Sequence, residues 1–382
     1  MNVSCIFDKA LRSLPAVALV LNTSVFAQSF TAFDIGTLGG TATYGAALNA
    51  SGQVTGNSVI APGGPYHAFI TDANGKNIRD LGSFPGGSTS QGLGINASGQ
   101  VVGEAERGDG LIPTSHAFIT GPNGAGLIDF TGRDYSRATG INDSGQVVGN
   151  TNDILSVGGV GVFATGPDAT GFNFIAVGLG SGSVATDINA TGQVVGQGHV
   201  ASSINGHAFI TSSNHSFVSD LGSLTLYDTS YAAAVNDSGK VVGTSLLGLF
   251  NPSHAFITDI NSDMTDLGTL GGQDSFALDI NSAGIVVGWS TTAHGNAHHA
   301  FITDAGGGGM TDLNSLVTLS NGTFLVDAKG INDRGQILAN GSDGHAYLLS
   351  PVPEPETYAM LLAGLSVMGW IVRRRKIYGD LF

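Results

Sequence analysis

Cysteine is nearly absent: of 382 residues only Cys5 carries a thiol, and it lies in a segment read below as a removed leader. Disulfides and thiolate metal sites are thereby excluded from the body of the protein, whose stability must come from packing. Charge is also scarce, at 11% of residues, and basic charge is scarcest. Between Gln28 and Ser350 stand 25 acidic and 8 basic side chains, a balance of −17 with histidine neutral. Such a surface repels nucleic acid and anionic lipid, leaving cations, neutral glycans and basic proteins as the partners it permits. The common hydrolase and nucleotide motifs are missing too: there is no G-x-S-x-G, no H-E-x-x-H and no glycine-rich loop ending in Lys-Ser or Lys-Thr. What is plentiful is glycine, 59 residues, within a chain that is 42% hydrophobic, too apolar for disorder and densely punctuated for turns.

The first 27 residues have the layout of an export signal. Lys9 and Arg12 supply a positive start, Leu14 to Leu21 an apolar run, and Val25-Phe26-Ala27 a small-residue cleavage pattern. Signal peptidase and the secretion machinery are the partners this segment implies.

From Gln28 to Ser350 the chain repeats itself. The element N-x-x-G-x-V-x-G starts at Asn49, Asn96, Asn142, Asn189, Asn236 and Asn281, with a worn seventh copy at Asn332. The spacings are 47, 46, 47, 47, 45 and 51 residues. The cleanest copy, from His254 to Ser290, reads as four short strands: His254 to Thr258, Thr265 to Gly268, Phe276 to Ile280 and Ile285 to Ser290. In Val286-Val287 both faces are apolar, as in a strand covered on each side. Four short strands cannot bury two faces alone, so copies must stack, and this period is that of propeller blades. The sequence therefore predicts an all-β, seven-bladed β-propeller of four-stranded repeats; an open β-solenoid is the alternative. The first copy lacks an HAF strand and the last carries a surplus one at His345-Ala346-Tyr347, so both termini are expected to build one blade.

His67, His116, His207 and His299 precede Asp80, Asp129, Asp220 and Asp312 by 13 residues, and His254 precedes Asp266 by 12. Each imidazole is expected to bond the carboxylate of its own blade, and His345 to take Asp34 if the ring closes. One unit departs: Gly161-Val162-Phe163 replaces HAF, and Val177-Gly178-Leu179-Gly180 replaces the aspartate segment. Six recurrences of a dyad without a nucleophile read as structure rather than catalysis.

Three clusters bear on chemistry. Glu104 and Glu106, the only glutamates of the repeat region, fall on one strand face by alternation, the pair a glycosidase would need. The turns beginning at Asp187 and Asp279 resemble the first half of a calcium loop, but the twelfth position is Gly198 or Ser290, so calcium is not assigned and no cofactor is expected. His294, His298 and His299 lie close together without a completing ligand before Asp304.

The motifs HAFIT, DLGTLGG and SGQVVG closely resemble the HAF family of bacterial extracellular repeats, over about Phe33 to Ser350. That resemblance implies an exported repeat protein and no reaction. After Ser350 the composition changes: Pro353-Glu354-Pro355, an apolar stretch from Thr357 to Val372, then Arg373-Arg374-Arg375-Lys376. Sixteen apolar residues fall short of the roughly 20 that span comfortably, so the helix suits a transient membrane anchor with the basic cluster on the cytoplasmic side. Residues 351–382 resemble the PEP-CTERM sorting signal of Gram-negative bacteria that make exopolysaccharide. That resemblance implies recognition of Pro353, Glu354 and Pro355 by an exosortase, with release to the cell surface or beyond. Tyr358 stands where that family often has Trp, and Ile377 to Phe382 extend past the basic cluster. The sequence thus reads as an exported binding or structural module, exopolysaccharide-associated and not an enzyme; the alternative is a polysaccharide hydrolase or lyase with a site in the propeller channel.

Overall fold

Short strands joined by Gly-, Asn- and Asp-rich connections return antiparallel beside their predecessors, which makes meandering sheets the direct outcome of this sequence. The computed structural model describes residues 29–108, 113–151, 161–177, 182–199, 206–226, 229–248, 252–293 and 295–352. They form seven four-stranded antiparallel sheets. In the first blade Thr43–Leu48 pairs with Val54–Val59, that strand with Tyr66–Ile70, and that with Arg79–Gly82. The first strand of every sheet touches the first strands of both neighbouring sheets, around the whole circle, so these seven strands line a central channel. The fold is a seven-bladed β-propeller.

Closure comes from both termini. The seventh blade takes Leu325–Ile331, Ile337–Gly341 and Ala346–Pro351 from the end of the repeats, and its outermost strand, Phe30–Asp34, from the start. The register runs from Phe30 opposite Pro351 to Asp34 opposite Tyr347. No blade is left with a missing strand, and the ring has no unpaired end at its seam.

The blade boundary falls elsewhere than the repeat suggests. Ser253–Thr258 and Thr265–Asp266 complete the fifth blade, whereas Gly271–Ile280 and Val286–Thr292 open the sixth. The stretch from His254 to Ser290 is therefore two outer strands of one sheet and two inner strands of the next. A period fixes how often the unit recurs; only hydrogen-bond pairing fixes where it is cut.

The core lies in the seams between blades. Phe69, Phe118, Phe163, Phe209, Phe256 and Phe301, the aromatic of each HAF position, are fully buried. Consecutive valines serve different seams: Val101 packs with Ala68, Ile70 and Phe118 between blades one and two, while Val102 packs with Ala138, Ile141 and Phe163 between blades two and three. The following glycine is required by close approach, since a Cβ on Gly103 would sit 1.9 Å from the Gln91 carbonyl and 3.0 Å from the Phe118 ring.

Candidate functional site

The antiparallel register puts the starts of each first and third strand and the end of the second at one face of the disc. On that face each HAF histidine meets its aspartate. Nδ1 lies 2.9 Å from Asp80 in the His67 pair, 2.8 Å from Asp129 for His116 and 3.0 Å from Asp220 for His207. The distances are 2.8 Å for His254 and Asp266, 2.7 Å for His299 and Asp312, and 2.8 Å for His345 and Asp34 across the closure. Each carboxylate also accepts a backbone N–H two or three residues on, as Asp80 does from Gly82 at 2.7 Å and Asp34 from Gly36 at 2.8 Å. In the third blade the register sets Phe174, not the segment at Val177, opposite Phe163 in the aspartate's place, with its ring against Gly161. Thr114 Oγ1 reaches His116 Nε2 at 3.0 Å, a hydroxyl–imidazole–carboxylate series, but Asp134 Oδ1 lies at 3.0 Å from the same nitrogen. The Thr114 hydroxyl also donates to Asp134 Oδ1 at 3.2 Å, so it is shared with that carboxylate and not aligned on the imidazole alone.

At the opposite face the turn asparagines make six links of a second ring, the step from Asn281 to Asn332 being bridged instead by Ser282 N–H donating to Asp333. Asn49 Nδ2 donates to the Asn96 carbonyl at 2.9 Å, Asn96 to Asn142, Asn142 to Asn189, Asn189 to Asn236 and Asn236 to Asn281; Asn332 donates back to Asn49 at 3.1 Å. Their Oδ1 atoms accept backbone N–H groups of the same turn, as Asn189 does from Thr191 and Gln193. The asparagine oxygens of these turns are thus engaged by their own backbone. Among the described residues no three His, Cys, Asp or Glu side chains group to hold a metal.

The His–Asp face carries a groove of 540 Å³ over blades one to three. Glu104 and Glu106 both line it, as alternation along Val101–Arg107 requires. Glu104 Oε2 accepts from Ser115 Oγ at 2.8 Å, and Oε1 lies 3.7 Å from Arg137. Glu106 Oε2 accepts from Ser88 Oγ at 2.6 Å and Ser88 N–H at 2.8 Å, and these bonds hold its carboxyl below the ordinary range. Tyr66 and Tyr135 border the same groove, exposed at 39% and 53%. Asn57 and Gln91 belong both to this groove and to the channel mouth, a 600 Å³ cavity with Tyr44, Arg137, Asp327 and Lys329 in its wall.

Below the mouth the channel narrows to 260 Å³ around Asp187 and Asp279. Asp187 accepts from Ile188 N–H and, across the seam, from Val235 N–H at 2.9 Å; Asp279 does the same with Ile280 and Ile331, the latter at 2.7 Å. These carboxylates are half-buried and face the lumen, ringed by the inner strands of the blades. That desolvation pushes Asp187 up to about 6 and Asp279 up to about 7, against the downward pull of the N–H donors. The Asp187 charge adds to the rise at Asp279.

Of the three clustered histidines, His294 lies outside the described residues, His299 bonds Asp312 and His298 stacks on Trp289 with ring centroids 3.9 Å apart. Phe276 covers the other partner position of Trp289 at 4.2 Å. The sorting residues Pro353, Glu354, Pro355, Arg373, Arg374, Arg375 and Lys376 also lie outside the described residues. No helix among the described residues is long and apolar enough to cross a membrane. Sequence reasoning missed Tyr44, Tyr66, Tyr135, Gln91 and Arg137. Their signal was variation: they occupy positions where one repeat differs from the next on an otherwise uniform face.

Residues 209–345 match a family described as "Protein of unknown function (DUF3466)", and residues 351–376 match the PEP-CTERM protein-sorting motif. No curated protein matches the chain. Among solved structures it is similar to an oligogalacturonate lyase from Vibrio parahaemolyticus, at 10% identity and a TM-score of 0.55, over 86% of this chain and 98% of that one. It is also similar to the β-propeller domain of the Trilobed protease from Pyrococcus furiosus, at 13% identity and a TM-score of 0.51, over 74% and 82%. TolB from Acinetobacter baumannii aligns at 11% identity with a TM-score of 0.45, over 80% of this chain and 65% of that one. These likenesses are of fold. The sorting motif routes the chain to the cell envelope or surface of a Gram-negative bacterium as the substrate of an exosortase-type sorting enzyme.

Proposed function

We propose that the protein is a binding module of the cell surface that grips extracellular polysaccharide on the His–Asp face of its propeller. In this reading residues 1–27 are the leader cleaved by signal peptidase and residues 28–350 the HAF-repeat ring. Thr357 to Val372 is the transient anchor that the exosortase removes. The six His–Asp pairs stiffen the platform. The observation that carries the reading is the groove itself, in which exposed Tyr66 and Tyr135 flank carboxylates and amides that bond hydroxyls. Tyrosine offers a sugar ring a large apolar face at low entropic cost. Catalysis by Glu104 and Glu106 is disfavoured on geometry, because a glycosidase needs one carboxyl free to hand a proton to the leaving oxygen, whereas Glu106 is bonded twice by Ser88 and Glu104 is bonded by Ser115 with Arg137 alongside.

Affinity electrophoresis through gels containing a bacterial exopolysaccharide tests this. Retardation of the wild type should be lost in Tyr66→Ala with Tyr135→Ala, while no reducing ends appear on prolonged incubation. Release of reducing ends that vanishes in Glu104→Gln or Glu106→Gln would establish the hydrolase or lyase instead.

A further inference from the structure

The groove and the channel mouth share Asn57 and Gln91, so they form one continuous trough. We infer that this trough takes a neutral, hydroxyl-rich polysaccharide rather than a polyuronate or another polyanion, an inference that rests on the binding reading above.

The argument is one of charge placement. The domain carries 25 acidic and only 8 basic side chains between Gln28 and Ser350, and two of those eight, Arg137 and Lys329, stand in the trough. Each faces an acid there: Arg137 lies 3.7 Å from Glu104, and Lys329 lies 3.1 Å from Asp327. With Glu106 unmatched by a base, the trough holds three acids against two bases, a slight negative excess inside a molecule whose outer field is negative. A polyanion would have to cross that field and then displace a resident carboxylate from each cation before it gained a contact. A neutral chain meets neither obstacle. It keeps both ion pairs intact and uses their remaining donors and acceptors for adjacent hydroxyls, since Glu104 retains lone pairs beyond the Ser115 bond and Arg137 retains N–H groups. Tyr44 and Tyr66, with rings 6.2 Å apart and inclined at 44°, present apolar faces beside these polar groups. Alternating ring faces and hydroxyl partners is what a sugar chain offers in return.

The test is titration calorimetry of the full chain with a soluble neutral glucan and with polygalacturonate, at low and at physiological salt. The neutral chain should bind with little salt dependence, and polygalacturonate at least about tenfold more weakly at low salt, where the repulsive field is least screened. Glu104→Gln leaves Arg137 without its acid and should shift the preference toward polygalacturonate by about tenfold, which a merely structural role for Glu104 does not produce. Should that variant fail to fold, Asp327→Asn makes the same change at Lys329. Tighter binding of polygalacturonate by the wild type, lost in Arg137→Ala, would overturn the neutral assignment and leave the binding reading standing. Binding of neither polymer, nor of the exopolysaccharide above, would overturn both.

Discussion

A single aspartate in each DLG segment holds two groups that point in different directions. Asp80 accepts from the Gly82 N–H, which fixes the turn leaving the blade, and it meets His67 on the neighbouring strand. The two bonds have unequal consequences. Asp80→Ala strands both the turn N–H and the imidazole, whereas His67→Ala leaves the turn capped. Urea unfolding should therefore show Asp80→Ala costing more, about 1 kcal/mol beyond His67→Ala, a small figure because the carboxylate is partly exposed. Equal losses would mean that the His–Asp contact alone matters. The 13-residue spacing made the pairing legible in the sequence, but the third blade was misread. Phe174 and Gly161 replace Asp and His as a volume-matched pair, a ring lying where no Cβ exists, and only strand register discloses that equivalence.

At the scale of the strand, the V-V-G element joins two seams at once. Alternation sends Val101 and Val102 to opposite sheet faces, and each face belongs to a different interblade core. The fully buried Phe118 then crosses the glycine gap to fill the seam with blade one. Phe118→Ala should cost about 3–5 kcal/mol by the cavity it leaves, measured from the denaturation midpoint at constant m-value. Gly103→Ala should also destabilise, through collision with the Gln91 carbonyl and not through a void. The strands and their apolar pattern were readable from alternation. The cut between blades was not, because the connection through Leu270 gives no residue signal that it leaves one sheet for the next.

For the whole molecule the channel sets a pH dependence. Asp187 and Asp279 are raised in the folded ring to about 6 and about 7, above their ordinary value of 3.8. The folded state therefore holds protons that the unfolded chain has released. Their stabilising contribution is complete below the unfolded value and is lost as pH rises through 6 and 7. Thermal unfolding followed across that interval should show a falling midpoint. Other blades carry Ala47 or Ala234 at the same register, so Asp187→Ala with Asp279→Ala is compatible with the strand geometry and should flatten the fall. The charges nearest these groups, Asp237, Asp333 and Lys329, remain in both proteins.

The sequence by itself determined the period, the seven copies, the pairing of His with Asp, the shared face of Glu104 and Glu106 and the sorting motif. These are local in the chain or recur at fixed spacing, so alternation and counting reach them. Only the tertiary structure decided that Tyr44, Tyr66, Tyr135, Gln91 and Arg137 share one trough, and that Asp187 and Asp279 meet in the lumen. The trough residues come from three blades and the two aspartates from two others, and a closed ring brings them together by geometry that no spacing records.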